Sequence, residues 1–135
     1  MIVDFTHDLV FSLQGPSLCL LGAETDFRKL AEAILQLTEG NKSHSIEISS
    51  LFFLKTVGEA KRIFFTSKKD ARQLGVINKN DELVFELDAH HWERILKYFM
   101  LLSWYKRTYY LNADENCLND LNLEQTCNFI CSSEF

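Results

Sequence analysis

His90 and His91, followed by Glu93, are the side chains in this chain best placed to do chemistry. An imidazole serves as general base, proton shuttle or metal ligand near neutral pH. Adjacent residues on a helix, however, point about 100° apart, so these two rings cannot converge on one ion from that element alone. The helical zinc-protease pattern sets its histidines four apart with Glu after the first, and His90-His91-Trp92-Glu93 does not follow it. A surface or capping role is expected for both, with catalysis through His90 or His91 kept as an alternative. Glu82 and Asp88 bracket one strand-like run and sit ~20 Å apart along it, too far for acid–base work on one bond. Turn and helix-capping roles account for them better. Gly22-Ala-Glu-Thr25 follows an apolar run as a phosphate loop would, but it lacks the glycine–lysine spacing and places Glu24 where phosphate would sit. No serine lies in a nucleophile-elbow context, and His7 and His44 are isolated. No catalytic residue, cofactor or metal is expected.

The cysteines are Cys19, Cys117, Cys127 and Cys131. Cys19 lies in an apolar run, where a thiol behaves as a small hydrophobe. Cys127 and Cys131 would share one face of a helix, but no paired Cys-x-x-Cys or nearby histidine completes a zinc set. Free thiols are expected.

Two segments must position whatever function there is, and they repeat one pattern 65 positions apart. Ser17–Gly22 is an apolar run, Asp26–Thr38 a helical pattern and His44–Ile48 a closing strand. Glu82–Leu87, His91–Ser103 and Tyr109–Asn112 repeat that order. Leu18 falls over Leu83, Leu20 over Phe85, Phe27 over Trp92, Leu30 over Ile95, Ile34 over Phe99, Leu37 over Leu102 and Ile46 over Leu111. Each helix carries one apolar face. Thr25 or Asp26 is expected to cap the first and Asp88 the second. Two short strands are expected before Pro16. Leu51–Leu54 and Arg62–Thr66 read as a hairpin about Gly58, and Ser67–Leu74 as a helical turn or two. Trp104–Leu111 reads as an aromatic strand, and the residues after Asn112 as a short helix or irregular cap.

The expected fold is α+β: one domain over 1–135, with a mostly antiparallel sheet, a mixed one being allowed, and both helices packed on one face. Its parts are N-terminal strands (1–16), a first strand–helix–strand unit (17–48), a hairpin and connector (49–80), a second unit (82–112) and an acidic C-terminal segment (113–135).

The length supports a self-sufficient core, and 47% hydrophobic content with 11 Phe argues against disorder. No run reaches the ~20 apolar residues a bilayer span needs, and the first residues have no signal-peptide pattern. A cytoplasmic location is expected. All 14 Lys and Arg lie by residue 107, where they balance the acids, so the net charge of −5 falls in the last residues. That distribution argues against nucleic-acid or anionic-membrane binding. It suits either solubility or a basic partner. Leu51–Leu54, Ile63–Phe65 and Trp104–Tyr110 hold consecutive aromatics, and strand neighbours point to opposite faces. Either the C-terminal segment covers the outer face or an aromatic surface is offered to a partner.

The apolar strand ending at Gly22, then Phe27-x-x-Leu30-Ala31-x-x-Ile34 and His44-x-Ile46-x-Ile48, resembles small bacterial immunity proteins. So does Leu83-x-Phe85-x-Leu87, Trp92-x-x-Ile95-Leu96-x-x-Phe99, Tyr109-Tyr110-Leu111. These proteins accompany polymorphic toxins and contact-dependent growth-inhibition systems, and the resemblance spans residues 17–112. It implies a cytosolic, non-enzymatic protein that binds and neutralises one toxin domain, often a basic nuclease. Asp114, Glu115, Asp120 and Glu124 are then the contact candidates. The alternatives are a homo-oligomeric domain that binds a small ligand, and an enzyme using His90 or His91.

Overall fold

The computed structural model describes residues 1–8, 15–78, 80–112 and 123–134. The first half contains β1 (Ile2–Thr6), β2 (Ser17–Leu21), α1 (Glu24–Ile34), β3 (His44–Glu47), β4 (Lys55–Gly58) and β5 (Arg62–Ser67). The second contains β6 (Arg72–Ile77), β7 (Glu82–Leu87), α2 (Ala89–Leu102), β8 (Thr108–Tyr110), β9 (Glu124–Gln125) and β10 (Asn128–Ser132). The fold is α+β, as read from the sequence, and its described strands divide between two mixed five-stranded sheets. One has the order β4-β1-β2-β10-β8, the other β9-β6-β7-β5-β3.

The two sheets are topologically the same. In the first, β1 runs antiparallel to β2 and parallel to β4, and β10 runs parallel to β2 and antiparallel to β8. In the second, β6 runs antiparallel to β7 and parallel to β9, and β5 runs parallel to β7 and antiparallel to β3. Exchanging the two halves of the chain turns one description into the other. Each half supplies three strands to one sheet, β1, β2 and β4 or β6, β7 and β9, and two to the other, β3 and β5 or β8 and β10. The echo between the two strand–helix–strand units is therefore part of a repetition over the whole chain, and the halves are interleaved rather than side by side.

Local chemistry explains the elements. Along β7, Leu83, Phe85 and Leu87 are buried and alternate with half-buried neighbours, the period-two pattern of a strand with one face on the core. The buried faces are Phe27, Leu30, Ala31 and Ile34 on α1, and Trp92, Ile95, Phe99 and Leu102 on α2. Leu37, in the 3₁₀ turn Leu35–Thr38 that extends α1, is buried where Leu102 is. The helices pack against each other, with the Phe27 and Phe99 rings 5.9 Å apart. The sheets meet through Phe85 of β7 and Phe129 of β10, edge to face at 5.1 Å. Phe65 stacks on Phe85 and also touches Trp92. The indole N–H of Trp92 donates to the Thr66 carbonyl at 2.9 Å, so the buried ring leaves no polar atom unpaired.

Several expectations are corrected. Residues 51–66 form no hairpin: β4 pairs with β1 in one sheet, β5 with β3 and β7 in the other. Gly58, at φ +87°, ends β4, and Glu59–Lys61 carry the chain across. The polar stretch after Ser67 is not helical. It makes a turn with Asp70 at φ +62° and continues as β6, whose Leu74 is buried. The aromatic strand is shorter than expected, because α2 and the turn after it extend to Tyr105. In the C-terminal segment, residues 113–122 lie outside the described residues, and Phe129 and Ile130 are not part of a cap or short helix. Residues 128–132 are a core strand between β2 and β8, with Phe129, Ile130, Cys131 and Ser132 all buried. The matching of Ile46 with Leu111 is out of register by two. Ile46 pairs with Phe65, and the corresponding pair in the other sheet is Tyr109 with Cys131. Equivalent hydroxyl pairs confirm it: Ser45 to Thr66 at 3.0 Å, and Thr108 to Ser132 at 2.7 Å. Of the strands expected before Pro16, β1 is present and residues 9–14 lie outside the described residues. No helix among the described residues is long and apolar enough to cross a membrane.

Candidate functional site

Helix α2 carries the surface that stands out. Asp88, in extended conformation directly after β7, caps it by accepting the His91 backbone N–H at 3.0 Å. In α1 the capping polarity is reversed. Asp26, three residues in, reaches back to accept the Ala23 N–H at 2.9 Å, and Thr25 makes no cap.

The two histidines part company at this cap. The His90 side chain is 68% exposed and its Nδ1 lies 4.0 Å from Glu93. The His91 side chain is only 6% exposed, with Nδ1 2.5 Å from Asp88 Oδ1. Of the surface or capping roles expected, His90 has the surface one, whereas His91 faces inward beside Trp92 and takes part in the cap. Its Nε2 is buried with no hydrogen-bond partner among the described residues. Desolvation by burial acts to raise the Asp88 pKa. The bonds from the His91 ring and backbone N–H, with the nearby imidazole charges, outweigh it and hold Asp88 below the usual carboxylate value. The arrangement is a capped helix with a buried imidazole, and no group of three metal-ligating side chains occurs among the described residues.

The other candidates are held in structural contacts. Glu82 accepts from the Arg62 guanidinium at 3.0 Å and from Asn78 Nδ2 at 2.9 Å. Arg62 also donates to Glu47 at 2.6 Å and lies 4.9 Å over the Phe64 ring, covering that outward aromatic. Burial pushes the Cys19 thiol up to about 11, assisted by the Asp4 charge, and the Cys127 thiol up to about 12. Cys131 is buried as well. These are poor nucleophiles, since the thiolate is the reactive form. Cys117 lies outside the described residues, as do Asp114, Glu115 and Asp120. Glu124 is exposed on β9, the edge strand beside β6.

A polar cleft of about 300 Å³ opens at the N-terminus of α2. Its charged lining, Glu39, Lys42, Lys69, Asp70 and Asp88, mixes both signs and gives no field favouring one kind of ion.

The opposite end of α2 is different. Met100 is 53% exposed, Leu101 41%, Trp104 73% and Tyr105 54%, and together they line one apolar depression with the Lys97 stem. Exposed hydrophobics scattered singly over a surface are ordinary, but adjoining large ones mark contact sites. The interleaved repeat supplies an internal control. Apart from His91, the buried positions of the helix face are apolar in both halves. The residues 65 positions before Met100, Leu101, Trp104 and Tyr105 are Leu35, Gln36, Glu39 and Gly40. The first half makes the same fold with polar or small residues at three of those four places. The fold does not require the apolar surplus.

Trp104, expected in a strand, lies instead in the turn that closes α2. Setting 100–105 beside 35–40 shows an excess of apolar residues without a counterpart, and that signal was present in the chain. Compared with protein-family models, curated proteins and solved structures, the chain matches none.

Proposed function

We propose that this is a non-enzymatic binding protein that engages a protein partner through the C-terminal end of α2, acting as an immunity protein that neutralises a toxin domain. The observation that carries the binding surface is the exposed Trp104, with Tyr105, Met100 and Leu101, at a helix end whose equivalent in the other half has polar or small residues at three of the four places. Tryptophan, tyrosine and methionine are enriched at the centres of protein interfaces, where a few desolvated anchors supply most of the affinity. The toxin-neutralising form rests on the resemblance of the two strand–helix–strand units to immunity proteins. Of the acidic contact candidates, Glu124 is exposed and available to a basic partner.

The test is affinity capture from the cytosol of the source cell, repeated with Trp104→Ala and with Tyr105→Ala. A single stoichiometric protein, toxic when expressed alone, captured by the wild type and lost with either variant, supports the proposal. Capture of no protein partner overturns the binding function. A partner that is not toxic overturns the immunity assignment, and capture insensitive to both variants removes the α2 surface. Because both side chains are more than half exposed, folding stability should change by less than about 0.5 kcal/mol, so a loss of capture would not reflect unfolding.

A further inference from the structure

We infer that two copies of this chain exchange halves about a hinge at Lys68–Ala71, forming a dimer in which the first half of each chain completes its sheets with the second half of the other. Exchange is open to the chain whether or not α2 binds a partner.

The contacts that hold the halves together are indifferent to which chain supplies them. Two parallel ladders tie one half to the other: β5 on β7, from Arg62 with Glu82 to Ser67 with Leu87, and β2 on β10, from Ser17 with Asn128 to Leu21 with Ser132. Across the same boundary Phe27 meets Phe99, Phe65 stacks on Phe85 at 5.5 Å, and the Trp92 indole donates to the Thr66 carbonyl. Neither half completes a sheet by itself. A half parted from its own partner is therefore left with unpaired strand edges and an uncovered apolar face. The same half of a second copy satisfies both, with every one of these contacts in its present geometry.

The covalent link between the halves is short and exposed. Lys68, Lys69 and Asp70 are all exposed, and the turn is closed by the Ala71 N–H donating to the Lys68 carbonyl at 3.1 Å. Asp70, third residue of that turn, stands at φ +62°, a place where such turns favour glycine. Ser67 and Arg72, on either side, both pair with Leu87, which sets them ~10 Å apart across β7. Extended, the hinge from Ser67 to Arg72 reaches ~17 Å, enough to run to a neighbouring copy instead of turning back. Opening gives up the hydrogen bond within the turn and releases the strain at Asp70. The bond from the Lys68 N–H to the Leu87 carbonyl re-forms between chains, and that from the Asp88 N–H to the Ala71 carbonyl stays within the second half. A short strained hinge between interleaved halves is the condition under which exchange competes with closure.

The test is to unfold the full chain in urea, refold it at about 0.01 mM and at about 1 mM, concentrations on either side of the effective concentration a short link provides, and measure mass by light scattering after size exclusion. Wild type should be monomeric at the lower concentration and partly dimeric at the higher. The isolated dimer should persist on dilution, because reversal requires the halves to separate. Asp70→Gly accepts φ above zero freely and should raise the dimer dissociation constant roughly tenfold, two hinges being relieved. Asp70→Pro holds its own φ near −65° and Lys69 extended, so it should be dimeric at both concentrations. Exchange itself is read by refolding Leu30→Asp together with Ile95→Asp. Each variant puts a carboxylate into the fully buried core of one half and should be unfolded alone. Mixed, only exchange unites the two intact halves, and about half the native circular dichroism should return. A wild-type chain that stays monomeric at the higher concentration overturns the proposal, whatever the variants do. So does a folded monomer of Asp70→Pro, or a mixture that recovers nothing. A dimer that dissociates at once on dilution and is abolished by Trp104→Ala also overturns it, and would assign self-association to the apolar end of α2.

Discussion

Asp88 holds His91 twice: one carboxylate oxygen takes the backbone N–H at 3.0 Å and lies 2.5 Å from the ring Nδ1. One side chain thus caps α2 and fixes the orientation of a buried imidazole. The residue 65 positions earlier, Ala23, can do neither, which makes the second helix start more dependent on its cap than the first.

That dependence has a pH signature. The Asp88 pKa is below its ordinary value in the folded protein. Its stabilising contribution is therefore complete above the unfolded-state value, about 4, and is lost as the pH falls through the lower folded value. Asp88→Ala should cost about 1–2 kcal/mol near neutral pH, the range for a lost N-cap. It should also flatten the acid limb of the stability curve, measured as urea midpoint against pH. An unchanged slope between pH 5 and pH 2 would argue against the coupling.

The interleaving of the halves predicts how the chain divides. Each sheet takes strands from both halves, so neither 1–70 nor 71–135 contains a complete sheet or buries its helix face alone. Both fragments should be unfolded separately by circular dichroism and recover structure when mixed in equal amounts. A folded, cooperatively melting fragment would contradict the shared core.

Gly75 sits at φ +80° where β6 slips register between Gln73 and Val76. A Cβ there would lie 2.6 Å from Cys127 Sγ and 2.8 Å from Phe85 Cε1. Gly75→Ala should destabilise by more than about 1 kcal/mol, from backbone strain and from the clash together. Gly40 has ordinary φ and open space around it, so Gly40→Ala is the matched control and should be nearly neutral. Thermal denaturation of the pair separates the two expectations.

The thiols offer a probe of opening. With pKa values pushed up to about 11 and about 12 by burial, Cys19 and Cys127 are almost wholly protonated at pH 8. Mass-spectrometric mapping after brief alkylation should find both unmodified in the folded protein and modified in urea. Rapid labelling of either under native conditions would show that the core opens there.

Much of the second unit was legible in the chain. Glu82–Leu87 and the Asp88 cap match β7 and the start of α2, because strand alternation, an N-cap residue and a broad apolar stripe all point the same way there. The unit was also misleading at its end. Trp104 and Tyr105 look like strand residues by composition, yet they belong to the turn that closes α2. The hairpin reading of 51–66 failed for a different reason. Leu51–Leu54 is a turn and the strand is Lys55–Gly58, and sequence proximity says nothing about which sheet β4 and β5 each enter on either side of a glycine with positive φ. Phe129 and Ile130 could not be recognised as a core strand from five residues whose parallel partner, β2, lies more than a hundred positions away.

What the sequence determined by itself is the set of apolar faces: Phe27, Leu30 and Ile34 on one helix, Trp92, Ile95 and Phe99 on the other, and the 65-residue spacing between them. These follow from local periodicity, which depends only on neighbours a few residues apart. The tertiary structure alone decided which sheet receives each strand, that His91 is buried while His90 is not, and that Met100, Leu101, Trp104 and Tyr105 are left uncovered. Each of these depends on how much of a side chain distant segments bury, and that is settled only when two halves that cannot complete their sheets separately close on one another.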